Sequence, residues 1–384
     1  MIFFLSYRQL FVPSHYENQN KMYLSRLSIL NFKNLVQEDI AFDKGFNCFV
    51  GDNGTCKTNI IDAVYYLSMC KSSLAMTDSQ CVRHGEKFFV LEGDYRTDGD
   101  RHEHVVCSYQ RGASKVVKRN DKVYERLADH IGLVPVVIVS PADSSLISDS
   151  ADERRRFING FISQLDKSYL DAVMRYNTAL ANRNSYLKMA SDEEMLCIYD
   201  AQMAPMAEKI HRSRAEIAEL LYPLVCEYYS ALSDDHEQVE LLYRSELNDA
   251  TLEELLKASR ERDRVMGYTT CGVQRDDFRF SIGGYPLRKY GSQGQQKSFL
   301  IALKLAQYRI IAQACGEKPI LLLDDLFDKL DESRVSRLIE LVKGDEFGQV
   351  IITDCNGERM GGILHRAECS YKLFNVTYGE VIKE

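Results

Sequence analysis

Polar and apolar residues alternate along much of the chain between Met22 and Val139, and this alternation predicts a lobe rich in strands. The segments YLSRLSI, KFFVLEGDY and HEHVVCSYQ follow the period of two that is typical of strands with one buried face. The segments GFNCFVG and VPVVIVSP are continuous apolar runs, as expected of strands buried on both faces of a parallel sheet. Both kinds of strand are therefore predicted in this part of the chain.

The apolar spacing becomes helical from Ser148 onward. A first amphipathic run is followed by helical patterning at 194–232 and 251–264. The residues that recur near helical spacing in the first run are Phe157, Phe161, Leu165, Val173, Tyr176 and Leu180. No sustained heptad runs through this block, so a long coiled coil is not predicted.

Strand patterning returns towards the C-terminus. In DDFRFSIGGYPL, Gly283 and Gly284 are a strong signal for a hairpin turn. GSQGQQKSFLIALKLAQYRIIAQACG predicts a long helix, and the apolar runs in PILLLDD and QVIITD predict two more buried strands. We therefore predict an α/β lobe in two parts, residues 22–147 and 266–384, with a helical lobe inserted at 148–265.

The first 21 residues do not fit this organisation. The segment MIFFLSYRQLFV has no basic leading region, is interrupted by Arg8 and lacks a small-residue cleavage site, so it is a poor signal peptide. A clear strand pattern starts afresh at Met22. Residues 1–21 are therefore predicted to be an appended or disordered start that takes no part in the fold.

The composition is that of an ordinary globular protein and narrows the functional classes. The chain has 384 residues, of which 45% are apolar and 27% charged, and its net charge is −8. With this charge, any contact with nucleic acid has to use a local basic patch. Eleven scattered cysteines without a C-x-x-C pair argue against disulfides or a zinc finger and favour a reducing cytosol. No apolar run approaches the roughly 20 residues that span a membrane, so a cytoplasmic location is expected.

The segment HEHVVC raises the question of a metal site. His102, His104 and Cys107 are all potential metal ligands. Their spacing, however, is what a half-exposed strand produces without any ligand. We therefore expect no metal at this position.

The stretch GDNGTCKTN lies between a predicted buried strand and a predicted helix, and it nearly fits the phosphate-binding loop G-x-x-x-x-G-K-[ST]. Backbone N–H groups at a helix N-terminus bind phosphate, Lys57 would contact the β- and γ-phosphates, and the Thr58 hydroxyl would bind Mg²⁺. The predicted nucleotide-binding residues of this loop are Gly51, Asp52, Asn53, Gly54, Thr55, Cys56, Lys57, Thr58 and Asn59.

Cys56 stands where the motif has its second glycine. A glycine at such a position permits a positive φ or a close backbone approach. A non-glycine residue in the left-handed region loses about 1–2 kcal/mol, which corresponds to nucleotide binding weakened about tenfold. We therefore predict a working nucleotide site with reduced affinity and an oxidisable thiol.

The second candidate feature is the segment ILLLDDLFDKLD. An apolar strand followed by two acids is typical of a strand that brings carboxylates to the metal-binding edge of a sheet. Asp324 would hold the Mg²⁺, and Asp325 would orient or deprotonate the attacking water. A buried strand with a polar end is the alternative, but it does not predict two adjacent acids after a phosphate loop.

The third feature is GSQGQQKS, which opens the long C-terminal helix. Ser292, Gly294 and Gln295 would form a second anion-binding helix start, although an ordinary N-cap has the same sequence pattern. Two such starts are more than one nucleotide needs within one chain. We therefore expect the second to contact a nucleotide bound by another copy, which predicts an ATP-dependent homodimer.

Together these segments resemble the RecF family, the ABC-type ATPases of bacterial recombinational repair. The resemblance is carried by LSILNFKNL, GDNGTCKTNIIDAVYYLSMCKS, SPADSSLISDSADERRRFING and QRDDFRFSIGGYPLRKYGSQGQQKSFLIALKLA, followed by LLLDDLFDKLD. It implies an α/β fold, an ABC-type ATPase head with a strand-rich N-terminal lobe, a mainly helical inserted second lobe and a C-terminal ATPase segment. It also implies a weak DNA-stimulated ATPase that acts as a switch.

The same resemblance implies partners and further site residues. The partners are DNA at junctions of duplex and single strand, together with RecO and RecR in the loading of recombinase. Asp331 matches a loop that faces the other subunit, Thr353 lies near a switch position, and Lys33 and Asn34 would approach the nucleotide. Gln274 stands where the family usually has histidine, with no consequence that the sequence reveals.

The residues alone say less about DNA binding. The basic clusters SKVVKRNDK and ERRRF are candidate contacts with phosphates, or else solvated faces.

Two alternative functions stay open at this point. One is a structural head of the SMC type, which the short helical insertion disfavours, and the other is the nucleotide-binding subunit of a transporter, which the form SQGQQK fits poorly.

Overall fold

The structure is a computed structural model that describes residues 22–97, 99, 101–189, 192–233, 237–326, 330–377 and 380–383. The chain divides into two compact units. The first, called the two-sheet unit, contains the described residues of 22–143, 228–233 and 297–383. The second, called the helical unit, contains those of 144–227 and 237–296. The predicted appended start, residues 1–21, lies outside the described residues.

Strands and helices are numbered in chain order. The strands are β1 (Met22–Phe32), β2 (Leu35–Ala41), β3 (Phe46–Val50), β4 (Phe88–Thr97), β5 (His102–Gln110), β6 (Val116–Arg119), β7 (Lys122–Val123), β8 (Val136–Val139), β9 (Val239–Arg244), β10 (Asp277–Ile282), β11 (Tyr285–Pro286), β12 (Ile320–Leu323), β13 (Val350–Asp354), β14 (Tyr371–Thr377) and β15 (Glu380–Lys383). The helices are α1 (Lys57–Met69), α2 (Asp78–Cys81), α3 (Ser145–Ser148), α4 (Ala151–Leu165), α5 (Lys167–Met189), α6 (Glu193–Leu232), α7 (Leu252–Ala258), α8 (Arg260–Met266), α9 (Leu287–Tyr290), α10 (Gln293–Cys315), α11 (Glu332–Val342) and α12 (Gly357–Arg366). Short 3₁₀ turns occur at Leu127–Asp129, Pro141–Ser144, Glu246–Asn248 and Val273–Arg275.

The first sheet of the two-sheet unit is antiparallel, with the strand order β2-β1-β4-β5-β6-β7. Its strands alternate between buried and more exposed residues, so the strands predicted from YLSRLSI, KFFVLEGDY and HEHVVCSYQ are confirmed. In β5, His102 and His104 lie on the more exposed face while Cys107 is buried on the opposite face. The strand period therefore explains the spacing of these three residues.

The second sheet has the order β15-β14-β3-β13-β12-β8, and it is parallel except for the edge strand β15. Strands β3, β12 and β13 are buried along their whole length, which is why their sequences are continuous apolar runs. Because parallel strands share a direction, the carboxyl ends of β3, β13 and β12 meet at one edge of the sheet. This edge is where ligands bind in open α/β sheets.

Helix α1 starts at that edge and packs in the core of the two-sheet unit. It contacts β1, β4 and β5 of the antiparallel sheet and β8 and β13 of the second sheet. Ten of its thirteen residues are buried, including Ile60, Ile61, Val64 and Leu67. An apolar surface on nearly all sides explains why this segment has no clean polar face. The core thus fixes the direction of α1 and the position of the loop that precedes it.

The helical unit combines α4, α5, α7, α8 and α6 as far as residue 227 with the small sheet β11-β10-β9. The predicted hairpin is confirmed, because Gly283 and Gly284 connect β10 to β11 with φ of 56° and 79°. Helix α6 has 40 residues and contains Pro205 and Pro223. In the part of the chain that the structure describes, no helix combines the length and apolar character needed to cross a bilayer.

The helical unit extends beyond the end predicted for the helical lobe. The sequence predicts a return to the α/β lobe after residue 265, whereas the compact unit ends at Gln296. The reason is strand pairing, because β10 pairs with β9, which precedes α7 and α8 in the chain. Strand β10 also packs against α4. Strand patterning after residue 265 therefore marks a second strand of this unit.

Candidate functional site

The loop between β3 and α1 is shaped by two glycines. A Cβ on Gly51 would lie 2.2 Å from the backbone oxygen of Val376, so any side chain there would collide with β14. Gly54 has a φ of 89°, a conformation that costs glycine little. The loop then enters α1 at Lys57, so the N–H groups of the first helical turn face the loop. This is the strand–loop–helix arrangement predicted from GDNGTCKTN.

Lys57 is buried, and its ammonium group lies over the loop. Nζ donates hydrogen bonds to the carbonyl oxygens of Gly51 at 2.6 Å and Asp52 at 2.7 Å. Thr55 donates from Oγ1 to the same Asp52 oxygen at 2.8 Å, which closes the turn. The positive end of the α1 dipole adds to the charge of Lys57. The loop therefore presents N–H groups and one cation, which is the chemistry that binds a phosphate chain.

Cys56 adopts the left-handed conformation that the motif reserves for glycine. Its φ is 78° and its ψ is 8°, and it precedes α1 without a side-chain cap. Burial raises the pKa of the Cys56 thiol, the charge of Glu38 adds to this, and Lys57 opposes it. Because the thiolate is the reactive form, a raised pKa makes this thiol less prone to oxidation than its position in the loop suggested.

Asp324 directly follows β12 and is 3% exposed. Its Oδ1 accepts hydrogen bonds from Thr58 Oγ1 at 3.1 Å and Thr353 Oγ1 at 2.7 Å. Burial raises the pKa of Asp324, while these two hydroxyls partly lower it. The neighbouring charges of Asp325 and Asp62 raise it further. The structure thus brings together the ends of β12 and β13 and the first turn of α1, as expected from the two motifs.

Asp325 follows Asp324 with an unusual backbone. Its φ is 47°, in the left-handed region, and its N–H donates to Thr353 Oγ1 at 3.0 Å. The N–H of Asp324 instead donates to the carbonyl of Val139 in β8 at 2.8 Å. The N–H groups of the two aspartates therefore point to the two strands on either side of β12, that of Asp324 to β8 and that of Asp325 to β13. Thr353, expected only near a switch position, contacts both of them.

Oxygen ligands suited to Mg²⁺ are present at this edge. Thr58 Oγ1 and Asp324 Oδ1 lie 3.1 Å apart, and Oδ2 of Asp324 accepts no hydrogen bond from the residues that the structure describes. Mg²⁺ commonly uses one or two protein oxygens together with phosphate oxygens and water. No group of three or more His, Cys, Asp or Glu among the described residues could hold a metal alone. The donor set therefore fits a Mg²⁺ ion that arrives with a nucleotide.

Lys33 and Asn34 lie at the turn between β1 and β2. Lys33 has a φ of 55°, and its Nζ forms an ion pair with the buried Asp62 of α1 at 2.6 Å. Asp62 also accepts hydrogen bonds from Ser72 and Ser73. Sequence reasoning overlooked Asp62, whose only signal was a charged residue on an otherwise apolar helix.

The other residue of this turn is also tied to α1. The Asn34 side chain accepts a hydrogen bond from Asn59 in the first turn of that helix. Lys33 and Asn34 therefore contact the helix that follows the loop. Their approach to a nucleotide stays a prediction.

Ser292, Gly294 and Gln295 belong to the start of α10. Ser292 Oγ accepts from the N–H of Gln295 at 3.2 Å, and the Gln295 side chain accepts from the N–H of Ser292 at 2.6 Å. This reciprocal capping satisfies two donors at the helix start. Asp331 similarly caps α11 by accepting from the N–H of Arg334 at 2.9 Å. These contacts are those of N-caps, and the anion-binding and subunit-facing roles of these residues stay predictions.

Two of the four cations in the basic cluster SKVVKRNDK, Lys115 and Arg119, are engaged within the protein. Lys115 is nearly buried and forms an ion pair with Asp78 at 2.9 Å, and Arg119 pairs with Glu103 at 2.7 Å. Lys115 also donates to the carbonyl oxygen of Cys70, which ends α1. These side chains therefore stabilise the two-sheet unit in addition to any role at a surface.

The arginines of ERRRF and the unexplained Gln274 lie in the helical unit. Arg154 pairs with Asp277 at 2.7 Å and Arg156 with Glu153 at 2.5 Å. Gln274 accepts a hydrogen bond from Tyr176 and donates to the carbonyl of Cys271 at 2.6 Å. Gln274 therefore holds the segment before β10 against α5, which gives it a structural role that the sequence did not reveal.

Comparisons with known proteins agree with this arrangement. The family model described as RecF/RecN/SMC N terminal domain matches residues 23–378. The DNA replication and repair protein RecF of Bacteroides thetaiotaomicron is 48% identical over 362 residues, which cover 94% of this chain and 98% of the relative. RecF of Flavobacterium johnsoniae is 42% identical over 360 residues, covering 92% of this chain and all of the relative.

Solved structures show the same relationship. The recombination mediator protein RecF of the RecFOR pathway, solved with ATP, superposes with a TM-score of 0.86 at 29% identity and covers 96% of this chain and 100% of its own. The Smc head domain of Pyrococcus furiosus has a TM-score of 0.57 at 16% identity, with 94% of this chain and 96% of the other covered, which shows a likeness of fold alone. The predicted α/β fold, an ABC-type ATPase head, is confirmed. With relatives at 42–48% identity along nearly its whole length, the chain belongs to the RecF family of DNA replication and repair proteins.

Proposed function

We propose that this chain is an ATP-dependent DNA-binding protein of recombinational repair and replication. It binds Mg²⁺ and ATP at the loop 51–59, pairs with a second copy when ATP is bound, and binds gapped or junction DNA in that state. Membership of the RecF family supports this proposal, as does the RecF solved with ATP and described as a recombination mediator. RecO and RecR are the proposed partners in loading recombinase, in keeping with the RecFOR pathway named for that relative.

One observation carries the nucleotide-binding part of the proposal. Asp324 is buried, and it is held by hydroxyls from α1 and β13, which lie 266 and 29 residues away in sequence. A buried carboxylate without a cationic partner is costly, and groups of this kind are common at functional sites. Its neighbours are the loop and the lysine expected of a phosphate site. The arrangement supports a carboxylate kept for a metal ion.

Each residue of the site has a chemical role in this proposal. The loop N–H groups and Lys57 bind and orient the phosphates, and Thr58 and Asp324 hold the Mg²⁺. The metal supplies charge stabilisation at the phosphoryl oxygens. Asp325 orients or deprotonates the attacking water. Because an aspartate has a shorter side chain than the glutamate usual in transporter ATPases, we expect slow hydrolysis that suits a switch.

The dimer completes the site in this proposal. Donors at the start of α10 (Ser292, Gly294 and Gln295) would contact the γ-phosphate bound by the other copy, where charge develops in the transition state. ATP would then bridge two copies, and hydrolysis would release them. The two alternatives are less well supported, because the close relatives are named as repair proteins and the likeness to Smc heads concerns the fold alone.

The experiment is a nucleotide-binding titration with a fluorescent ATP analogue, comparing wild type with Lys57→Ala and with Lys87→Ala, an exposed lysine that precedes β4. We expect Lys57→Ala to lose nearly all binding and Lys87→Ala to bind like wild type. Tight binding by Lys57→Ala would contradict the assignment of the site.

A second measurement addresses the dimer and DNA. Light scattering with ATP should show a dimer for wild type and a monomer for Ser292→Arg, because the larger side chain blocks the approach of the partner. The ATPase rate should rise with gapped DNA for wild type only. A Ser292→Arg protein that dimerises with ATP, or a wild type that hydrolyses ATP as a strict monomer, would overturn the two-chain arrangement.

A further inference from the structure

We propose that Thr353 is a positioning residue that sets the geometry of both Asp324 and Asp325 without touching nucleotide or metal itself. This inference rests on the proposed function and assigns a role that the sequence did not indicate. The juxtaposition that carries it is one hydroxyl, 0% exposed, lying between the side chain of Asp324 and the backbone of Asp325.

These two contacts use the single hydroxyl proton of Thr353 and one of its lone pairs. A hydroxyl has one proton to donate and lone pairs that accept. The N–H of Asp325 can only donate, so Thr353 Oγ1 accepts that bond at 3.0 Å. Its single proton is then directed to Asp324 Oδ1 at 2.7 Å. The donor and the acceptor of each bond are therefore fixed. A movement of Thr353 Oγ1 that alters one bond also alters the other.

The bond to Asp325 replaces a contact that the sheet would otherwise supply. Strand β12 pairs with β13 as far as Leu323, and the Asp324 N–H continues the pairing on the β8 side. At Asp325 the backbone turns into the left-handed region, which non-glycine residues seldom hold without compensation. The N–H of Asp325, which no longer pairs with a backbone carbonyl of the sheet, donates to the Thr353 side chain instead. Thr353 thereby fixes the direction in which Asp325 leaves the strand.

The bond to Asp324 selects which of its oxygens is left for a ligand. Both hydroxyls, from Thr58 and Thr353, are directed to Oδ1. Oδ2 accepts no hydrogen bond from any residue within the described ranges. Thr58 is assigned to the metal, so its bond to Asp324 is the one that ligand binding would alter. Thr353 is then the contact that keeps the carboxylate in place.

The experiment compares Thr353→Val, which keeps the shape but lacks the hydroxyl, with Thr353→Ser, which keeps the hydroxyl, and uses Thr353→Ala as a second variant without it. ATP binding is titrated in EDTA and again across Mg²⁺ concentrations, and steady-state hydrolysis is measured for kcat and KM. Binding in EDTA also reports that each variant is folded. If Thr353 had a purely structural role, its substitution would change the ATP affinity equally in EDTA and in Mg²⁺.

We expect Thr353→Val and Thr353→Ala to bind ATP in EDTA with an affinity within about twofold of wild type. Both variants should need about tenfold more Mg²⁺, and their kcat should fall about tenfold to a hundredfold. These changes are on the scale of one hydrogen bond to a charged group. Thr353→Ser should restore both quantities. The positioning role, but not the proposed function, would be overturned by either of two results. One is a Thr353→Val protein with the Mg²⁺ dependence and kcat of wild type, and the other is an equal loss of ATP binding with and without Mg²⁺. A wild type that binds no ATP would overturn the proposed function as well.

Discussion

Two buried carboxylates, Asp263 of the helical unit and Asp324 of the two-sheet unit, are held in opposite ways. Asp263 pairs with Arg183, whose guanidinium is 0% exposed and contacts Asp263 Oδ2 at 2.8 Å and Asp200 Oδ1 at 2.8 Å. The other oxygen of Asp263 accepts from Thr270. Asp324 accepts from two hydroxyls only, and no cation pairs with it within the described ranges.

The difference separates a buried charge that is paired within the chain from one that the proposed function assigns to a ligand. A buried acid that is paired with an arginine has its charge compensated within the chain. Removing either member of the pair leaves the other buried without a counter-charge. A buried acid held only by hydroxyls retains its desolvation penalty, and binding a cation from solution relieves it. The helical unit therefore uses buried charge for its own stability. In the proposed function, the two-sheet unit keeps Asp324 for a metal ion at a cost in stability.

The largest effect on activity is expected from Asp324→Asn, which removes the charge and keeps the shape. Hydrolysis of Mg·ATP should fall at least about a hundredfold, because the anionic metal ligand is lost and about 3 kcal/mol of stabilisation goes with it. The thermal midpoint at pH 7 should stay the same or rise, since an uncompensated charge is gone. Phosphate release and calorimetry measure the two quantities. In Asp263→Asn, the matched control, the midpoint should fall, and equal midpoints would contradict the comparison.

Arg183→Met should produce the largest loss of stability. It leaves Asp263 buried without a cation, although Asp200 keeps its ion pair with Arg260, and breaking a buried pair in this way costs about 3–5 kcal/mol. Urea denaturation followed by circular dichroism measures the effect. The control is Arg212→Met, which removes an exposed pair with Glu208 and should change stability by less than about 1 kcal/mol. A similar small change in both variants would show that the buried network adds little.

Cys56→Gly should have a smaller effect, confined to the loop. Relief of about 1–2 kcal/mol of left-handed strain should raise ATP affinity by up to about tenfold. Cys70 is the matched control, because it ends the same helix α1 with a φ of 52°. Cys70→Gly should leave ATP affinity unchanged. Isothermal titration with each variant measures the change, and equal affinities for wild type and Cys56→Gly would mean that the loop tolerates cysteine without cost to binding.

The smallest effect is a difference in pH dependence. Burial raises the pKa of Asp324, so its contribution to stability is greatest below its unfolded value of 3.8 and declines as pH rises through the folded value. The hydrogen bond from Arg119 lowers the pKa of Glu103 to about 2, so its contribution is present above 4.5 and is lost as pH falls towards 2.

Unfolding midpoints across pH for Asp324→Asn and Glu103→Gln should therefore depart from wild type in opposite ranges. The unfolding midpoint of Asp324→Asn should rise relative to that of wild type as pH increases above 3.8. The midpoint of Glu103→Gln should be lowest relative to wild type above pH 4.5, and it should approach the wild-type midpoint in acid. Parallel curves for both variants would mean that neither carboxylate has the assigned environment.

The sequence predicts the loop and the double aspartate because their signals are local. A strand, a glycine-rich turn and a helix follow one another directly at residues 46–69, and the apolar run before Asp324 is continuous. The contact of Thr353 with both aspartates is not local, because it requires β13 to lie next to β12 in the sheet. Nothing in the spacing of QVIITD and ILLLDD reveals that order.

Partners of charged residues are equally hidden in the sequence. A run such as SKVVKRNDK shows its cations but not that Lys115 pairs with Asp78, 37 residues earlier. The sequence predicts the end of the helical lobe at 265 for a related reason. Strand β9 lies between two stretches of helical patterning, and its pairing with β10 is a tertiary contact. The type and extent of most elements follow from apolar spacing, whereas pairing depends on topology.

The strand order of the second sheet also affects how the protein is synthesised. Of the strands in the second sheet, β3 and β8 are translated first. Among the described residues, β3 pairs with β13 and β14, and β8 pairs with β12, all of which come after the helical unit in the chain. While the ribosome translates that unit, two strongly apolar strands emerge with unpaired edges. Such edges promote aggregation of a growing chain. We therefore expect the nascent protein to depend on chaperones until β12, β13 and β14 have been made, well after its phosphate-binding loop has left the ribosome.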